Sequence, residues 1–415
     1  MPPAPSARPR PTAATTAPKP NWDFGLPPRW GVLADDLTGA TDVAAAFVNA
    51  GFTAEVVLDR KPVGRWDAQV AVLSTDSRHD TDADARRKVA EACRRLAERG
   101  RPVIYKKMDS TLQGNIVAEV EAIRDVAGFH TALVCAANPR QGRVIERGRL
   151  YVRGQTCGRV TDRLGLGSLL LLEAHRPFSS RSLVSALELS SLLLADASST
   201  RDLGVLAAAT WASAGRVLPS GSAGLAAAWA RLLARRCGIR TPASVPSVDA
   251  GAARADLATV IICGSTNPVT ERQLKTLAAT GSTCEVRLPL RSLGPAECAL
   301  AERRTLIVRA PVHRRPDDAV LRWLRALEPL GLAGRVGSWL VSGGDTALLV
   351  SRWLRPRSLA IRGEIAPGLA WGIWRGGLAD GTPWCTKPGG FGDERSLARA
   401  VRFLRAILRR RQCTK

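Results

Sequence analysis

Lysine is scarce in this chain: of 60 basic residues only 8 are Lys, and the other 52 are Arg. Histidine occurs four times, at positions 79, 130, 175 and 313. The nine cysteines include no C-x-x-C or C-x-x-x-x-C pair, which with so few histidines excludes a structural zinc site. No Gly-Lys dipeptide occurs, so a Walker A phosphate loop is excluded, and the G-x-G-x-x-G dinucleotide fingerprint is also missing. No apolar run reaches 18 residues, so no membrane-spanning helix is expected. The N-terminus lacks the apolar stretch of a secretory signal, and the cysteine number is odd. Both point to reduced thiols and a cytoplasmic location.

What is present describes a globular enzyme. The 415 residues are 45% apolar, enough for two domains with cores of their own. The net charge of +23 invites a nucleic-acid reading. Yet the arginines spread along the whole chain and form neither a basic block nor a stripe interleaved with aromatics. Nucleic acid is therefore not the expected partner, although a basic surface attracts small anions. Residues 1–27, opening MPPAPSARPRPTAATTAPKP, have too few large apolar groups to order themselves and read as a disordered extension.

Apolar runs then alternate with helical periodicities. Trp30–Ala34, Ala54–Leu58, Val70–Ser74, Pro102–Lys106 and Thr131–Cys135 read as strands; 82–99 and 115–126 read as helices. Residues 242–256, rich in Pro, Ala, Ser and Gly, read as a linker. A second alternation follows, with strands at 259–263, 305–309 and 338–342, helices between them, and a last helix near 394–408. The expected fold class is α/β: two α/β domains, 28–241 and 257–415, with mainly parallel sheets and the active site in the cleft between them.

Open α/β sheets bind ligands beyond the carboxyl ends of their strands, so the residues after each apolar run are the candidates. Asp35-Asp36-Leu37-Thr38-Gly39 follows the first strand. Such a pair can hold Mg²⁺, accept a hydroxyl proton or bond a polyol, or one Asp can simply cap the next helix. Arg78 follows the third strand and offers a planar fork to an anion. Lys106 and Lys107, two of the eight lysines, precede Asp109, Ser110 and Thr111. Where Arg is used nearly everywhere, Lys marks places that need a compact ammonium. Asn138 to Arg143 adds further donors. In the second half, Gly264-Ser265, Gly343-Gly344-Asp345-Thr346 and Lys387 through Gly392 form three glycine loops. Glycine admits phosphate close to the backbone, and a helix N-terminus supplies free N–H groups.

These stretches resemble the four-carbon acid sugar kinases. The matching segments are Ala34 to Ala40, Lys107 to Thr111, Gly142-Arg143, Gly221 to Gly224, Gly264-Ser265, Gly343 to Thr346, Gly363-Glu364 with Pro367-Gly368, and Thr386 through Gly392. The resemblance runs from about Gly31 to Leu408. It implies an N-terminal domain for the acid sugar and a C-terminal domain for ATP, with Mg²⁺. Carried onto this chain, Asp35, Asp36, Lys107 and Asp109 would be catalytic. Arg78, Lys106, Ser110, Thr111 and Arg143 would face the sugar. Ser265, Gly343, Gly344, Asp345, Thr346, Lys387, Gly389 and Gly390 would hold the nucleotide. A homodimer is also allowed for. Gln113 stands where the family has Arg, and residues 136–139 read Ala-Ala-Asn-Pro where it has an apolar segment with Phe. Both departures lie in the half expected to choose the acceptor. They bear on the substrate and not on the kinase chemistry; the alternative readings are a kinase of the same fold for another hydroxy acid or sugar, or a non-catalytic ligand-binding relative.

Overall fold

A computed structural model describes residues 29–58, 66–166, 170–173, 190–240, 257–311 and 318–409. The expected extension at 1–27 and linker at 242–256 lie outside the described residues. The strands are β1 (Trp30–Ala34), β2 (Ala54–Val57), β3 (Val70–Ser74), β4 (Val103–Lys107), β5 (Thr131–Cys135), β6 (Arg143–Glu146), β7 (Arg149–Val152), β8 (Gln155–Arg159), β9 (Leu170–Glu173), β10 (Leu192–Asp196) and β11 (Val217–Gly221) in the N-terminal half. The C-terminal half adds β12 (Ala258–Cys263), β13 (Thr283–Arg287), β14 (Thr305–Arg309), β15 (Val336–Ser342), β16 (Ser358–Ala366), β17 (Leu369–Arg375) and β18 (Pro383–Lys387). The helices are α1 (Leu37–Asn49), α2 (Asp82–Glu98), α3 (Ile116–Ala127), α4 (Val160–Leu164), α5 (Thr200–Ala212) and α6 (Ala223–Arg236), then α7 (Pro268–Ala278), α8 (Gly294–Ala301), α9 (Asp318–Arg325), α10 (Leu332–Arg335), α11 (Gly344–Leu354) and α12 (Ser396–Arg409).

The class is α/β, and the two halves share one sheet. Its order is β13-β14-β12-β15-β18-β17-β16-β2-β3-β1-β4-β11-β5-β10-β9. The junction is antiparallel, with Ser358 opposite Val57 and Ile361 opposite Ala54. The remaining pairs are parallel except β16–β17 and β17–β18. Joining two sheets edge to edge removes two exposed edges, each of which would otherwise offer unpaired backbone groups. Strands β6, β7 and β8 form a separate antiparallel meander.

Sequence chemistry explains the local elements. Thr81 caps α2, Asp82 and Asp84 sit in its first turn, and Val89, Cys93 and Leu96 lie on its buried face. Gly31 in β1 lets α2 pack closely, since a Cβ there would stand 2.6 Å from Leu96 Cδ1. Helix α1 differs from the other helices. Every residue from Leu37 to Phe47 is buried, because α1 is wedged between the halves against β16, α6 and α11. An Ala-rich sequence suits such a wedge, since small side chains let neighbours approach from all sides. Where α1 meets β18, Thr41 Oγ1 and Thr386 Oγ1 share a buried hydrogen bond of 2.8 Å across the junction.

Candidate active site

The carboxyl ends of β1, β3 and β4 deliver the first group of residues. Asp35 and Asp36 directly follow β1. Asp36 is the N-cap of α1, accepting from the Gly39 N–H at 2.7 Å and from Thr38 Oγ1 at 2.6 Å. Asp35 is almost fully buried. Arg78, four residues beyond β3, binds both: Nε lies 2.7 Å from Asp35 Oδ2 and Nη2 3.0 Å from Asp36 Oδ1. Its third nitrogen stands 3.9 Å from Asp109 Oδ1. One guanidinium thus gathers three carboxylates. Burial works against the Asp35 charge, yet Arg78, then Lys106 and Lys107, hold its pKa at about 2. The same carboxylates raise the Arg78 pKa well above its usual value against the effect of burial.

Asp109 folds back on its own loop, taking the Thr111 N–H at 2.7 Å and the Thr111 hydroxyl. Ser110 is buried beside it. Asn115 ties this loop to the preceding one, donating to Ser77 O at 2.9 Å and Asp80 O at 3.0 Å. Lys107 is buried under the first turn of α1, its Nζ donating to Met108 O at 2.9 Å. A Cβ on Gly39 would stand 3.2 Å from that nitrogen, so glycine makes room for the ammonium. Arg143 donates to Gln141 Oε1 at 2.7 Å and stacks its guanidinium 4.5 Å over the Phe391 ring, which belongs to the other half.

Opposite lies the glycine cradle. Gly343 is the N-cap of α11 at φ 108°, and its N–H bonds to Lys387 O at 3.0 Å. Cβ atoms built on Gly343 and Gly389 would stand 3.0 Å from Thr346 Oγ1 and 2.4 Å from Ser265 Oγ. Gly390 follows beside Asn267, and Asp345 and Thr346 form the first turn of α11. The cradle closes against the first group: a Cβ on Gly344 would stand 3.0 Å from Asp36 Oδ2. Asp36, Arg78 and Gln113 on one side, and Gly344, Asp345 and Gly389 on the other, line a cleft of about 660 Å³.

Two expectations are corrected here. Lys106 does not reach the cleft; it is fully enclosed, 2.6 Å from Glu119 of α3, with a further bond to Lys107 O at 2.9 Å. Every residue of β4 is buried, so its ammonium groups must find partners inside the protein. Lys387 is likewise fully buried, beneath the glycine loop. Its Nζ donates to Thr270 Oγ1 at 3.2 Å and to the carbonyls of Pro388 and Gly389 at 2.9 Å and Phe391 at 3.3 Å. It organises the loop from behind. Sequence reasoning missed Glu119, which also accepts from Ser77, and Thr270 and Gln273, which pin Gly389 O and Phe391 O. A helical Glu or Gln carries no such signal, since most stand in solvent.

Gly343→Ala tests the cradle. A positive φ strains any side chain, and this one also meets Thr346. A loss of about 1–3 kcal/mol in stability and at least tenfold in nucleotide affinity is expected, read by thermal melting and by titration.

A family model for a sugar-binding N-terminal domain matches residues 30–164, and one for a nucleotide-binding C-terminal domain matches 318–397. The D-threonate kinase of Bordetella bronchiseptica is 30% identical over 403 residues, covering 91% of this chain and 98% of that protein. The 3-oxo-tetronate kinase of Pseudomonas fluorescens is 28% identical, and the D-erythronate kinase of Heliobacterium modesticaldum 25%, each over 90% of this chain and 96% of the relative. Solved chains from Salmonella typhimurium and Haemophilus influenzae share the fold, with TM-scores of 0.69 and 0.65 at 20% and 21% identity, covering 91% and 90% of this chain and 99% and 100% of theirs. The protein is a phosphotransferase that uses an alcohol group as acceptor. It belongs to the four-carbon acid sugar kinase family. No helix among the described residues is long and apolar enough to cross a membrane.

Proposed function

We propose that the protein transfers the γ-phosphoryl group of ATP to the terminal hydroxyl of a four-carbon sugar acid, with threonate, erythronate and 3-oxo-tetronate as the candidate acceptors. One observation carries this reading: the Asp36–Arg78 group and the Gly344 cradle face each other across a single cleft, as donor and acceptor sites must. Phosphoryl transfer asks little covalent chemistry of a protein; it asks for positioning and charge stabilisation. The free N–H groups at the start of α11 would hold phosphate oxygens, and Ser265 and Gly389 would bound the nucleotide. Asp36 would orient the acceptor hydroxyl and draw its proton as the bond to phosphorus forms. Arg78 would hold Asp36 in place and oppose the charge spreading over the transferred group. Lys107, beneath the first turn of α1, would add positive charge.

The residues also fit a magnesium ion held mainly by phosphates. Among the described residues no three His, Cys, Asp or Glu side chains gather into a metal cluster. Mg²⁺ commonly takes only one or two carboxylates beside phosphate and water. Asp345 suits that role, since it lines the cleft and, among the described residues, the basic side chain nearest its carboxylate is the His79 imidazole, with Nε2 3.8 Å away. The ion would neutralise phosphate charge.

The reading is tested by ATP consumption in Mg²⁺ with D- and L-threonate, D- and L-erythronate and the 3-oxo-tetronates, each with and without Asp36→Asn. Asparagine caps helices about as well as aspartate. The variant should therefore melt within a few degrees of the parent and lose about 10²-fold or more in kcat, by the usual scale of general-base removal. Turnover with none of the acids would sink the acceptor class. Full activity in Asp36→Asn would reduce that carboxylate to a cap.

A further inference from the structure

Several stretches singled out in the sequence do not reach the cleft. Asn138 to Gln141, Gly224 at the start of α6, and Glu364 with Pro367 converge on a second chamber. It spans about 670 Å³, counting the space open to solvent at its mouth, lies between α1, α6 and the end of β16, and shares no lining residue with the cleft. Its inner wall is acidic. Asp42 of α1 is 8% exposed, and its Oδ1 has no hydrogen-bond partner among the described residues. Beside it, Glu364 accepts from Asn49 Nδ2 and from the Gly368 N–H, each at 3.1 Å. Burial, and then the Asp42 charge, lift the Glu364 carboxyl to about 7, so near neutrality it donates as well as accepts.

The mouth is basic. Arg140 and Arg231 are exposed there, and neither has a carboxylate within ion-pair distance among the described residues. Partial desolvation at the mouth, then the charges of Arg140 and Arg235, push the Arg231 pKa down. The N-termini of α5 and α6, at Thr200 and Ala223, add positive potential to the same space. A buried carboxylate oxygen without a donor is costly. A ligand hydroxyl would satisfy it, and an anion at the ligand's other end would meet the two arginines at the mouth.

We propose that this chamber is a second binding site, separate from the acceptor site, for a small anionic polyol: its hydroxyls meet Asp42 and Glu364, and its anionic end meets Arg140 and Arg231. Two ligands share that chemistry, a sugar acid and its phosphate ester. Either would touch both halves of the molecule, because Glu364 and Pro367 belong to the C-terminal half and α1 and α6 to the other.

The test counts binding equivalents on the full chain by isothermal titration. The probes are D- and L-threonate, D- and L-erythronate and their terminal phosphate esters, without nucleotide, at about 0.15 M salt so that diffuse surface attraction is screened. Four proteins are compared: the parent, Arg140→Glu with Arg231→Glu, Ala227→Phe, and Arg78→Lys. Ala227 lines the chamber, so Phe fills it without touching charge. The parent should bind two equivalents of at least one probe, and both chamber variants should lose one or bind it at least tenfold more weakly. Losing it with the free acids identifies a substrate-like ligand; losing it only with the phosphates identifies a product-like one. If neither chamber variant loses an equivalent of any probe, while both melt like the parent, the proposal is overturned. Failure of the cleft reading looks different: Arg78→Lys would then bind every probe like the parent, whatever the chamber variants do.

Discussion

Arg78→Lys should lower kcat/KM by roughly 10²- to 10³-fold, the scale seen when one preorganised charge-stabilising donor is removed from an active site. Lysine keeps the charge but is a single point on a flexible stem. It cannot reproduce a fork that meets Asp35 at 2.7 Å and Asp36 at 3.0 Å and faces Asp109 at 3.9 Å. Arg78→Met removes the charge as well and leaves three carboxylates close together. Breaking a buried pair in this way costs about 3–5 kcal/mol, so that variant should also melt far lower. The acid limb of stability checks the assignment. The Asp35 pKa falls from 3.8 to about 2 on folding, so its contribution is complete above about 3.8 and is lost as pH drops toward 2. In Arg78→Met that limb should move to higher pH. If Arg78→Lys turned over at the parent rate, the fork would be a purely structural clasp.

Lys387→Met should separate stability from function in the opposite sense. Among the described residues its ammonium has no carboxylate partner, and it is held by Thr270 Oγ1 and three loop carbonyls. Burial depresses its pKa from 10.5 to about 8. A folded pKa below the unfolded one means that the charged group costs stability, fully so below about 8. That cost is relieved as pH rises from about 8 toward 10.5. Methionine removes the cost, so the variant should melt near the parent temperature at neutral pH and lose the alkaline rise in stability. The loop at 388–391 loses its anchor, and nucleotide affinity should fall at least 10²-fold, about 3 kcal/mol for the several charge-assisted bonds that shape it. In the parent, phosphates held over this loop as proposed would favour the protonated lysine, so nucleotide affinity should weaken above about pH 8. Titrations at pH 7 and 9 on both proteins decide the matter. A parent with the same affinity at both values would show that the Lys387 charge is not felt by the nucleotide.

Much of the architecture was legible because one-dimensional signals were strong. Trp30–Ala34, Val70–Ser74, Thr131–Cys135 and Thr305–Arg309 are buried strands with unbroken apolar runs, and the helices between them carry caps and apolar faces. The stretch 358–375 was not read as strands, although β16 alternates buried and partly exposed residues. Arg362, Gly363, Glu364, Pro367 and Gly368 look like a loop, and only pairing with β2 and β17 makes the segment a strand. Its role at the junction of the sheet was therefore invisible.

The same division holds for the site. Residue type and position after a strand were enough to single out Asp35, Asp36, Arg78, Asp109, Ser265, the Gly343 loop and Lys387, because ligand sites in parallel sheets collect at strand ends. What sequence could not decide was which side each group faces. Lys106 and Lys107 are adjacent, yet one ammonium pairs with Glu119 and the other packs against Gly39 of α1. Asp36 caps a helix and lines the cleft, while Asp35 is buried behind it. The sequence by itself determined the α/β class, the chemical inventory and the order in which it is delivered, because these rest on local periodicity and residue chemistry. Tertiary structure alone decided that the two sheets are one, that Lys106 and Lys387 stand behind the cleft, and that Asp42, Glu364, Arg140 and Arg231 share a chamber. Each of those depends on contacts between residues tens to hundreds of positions apart, for which a single chain of letters carries no distance.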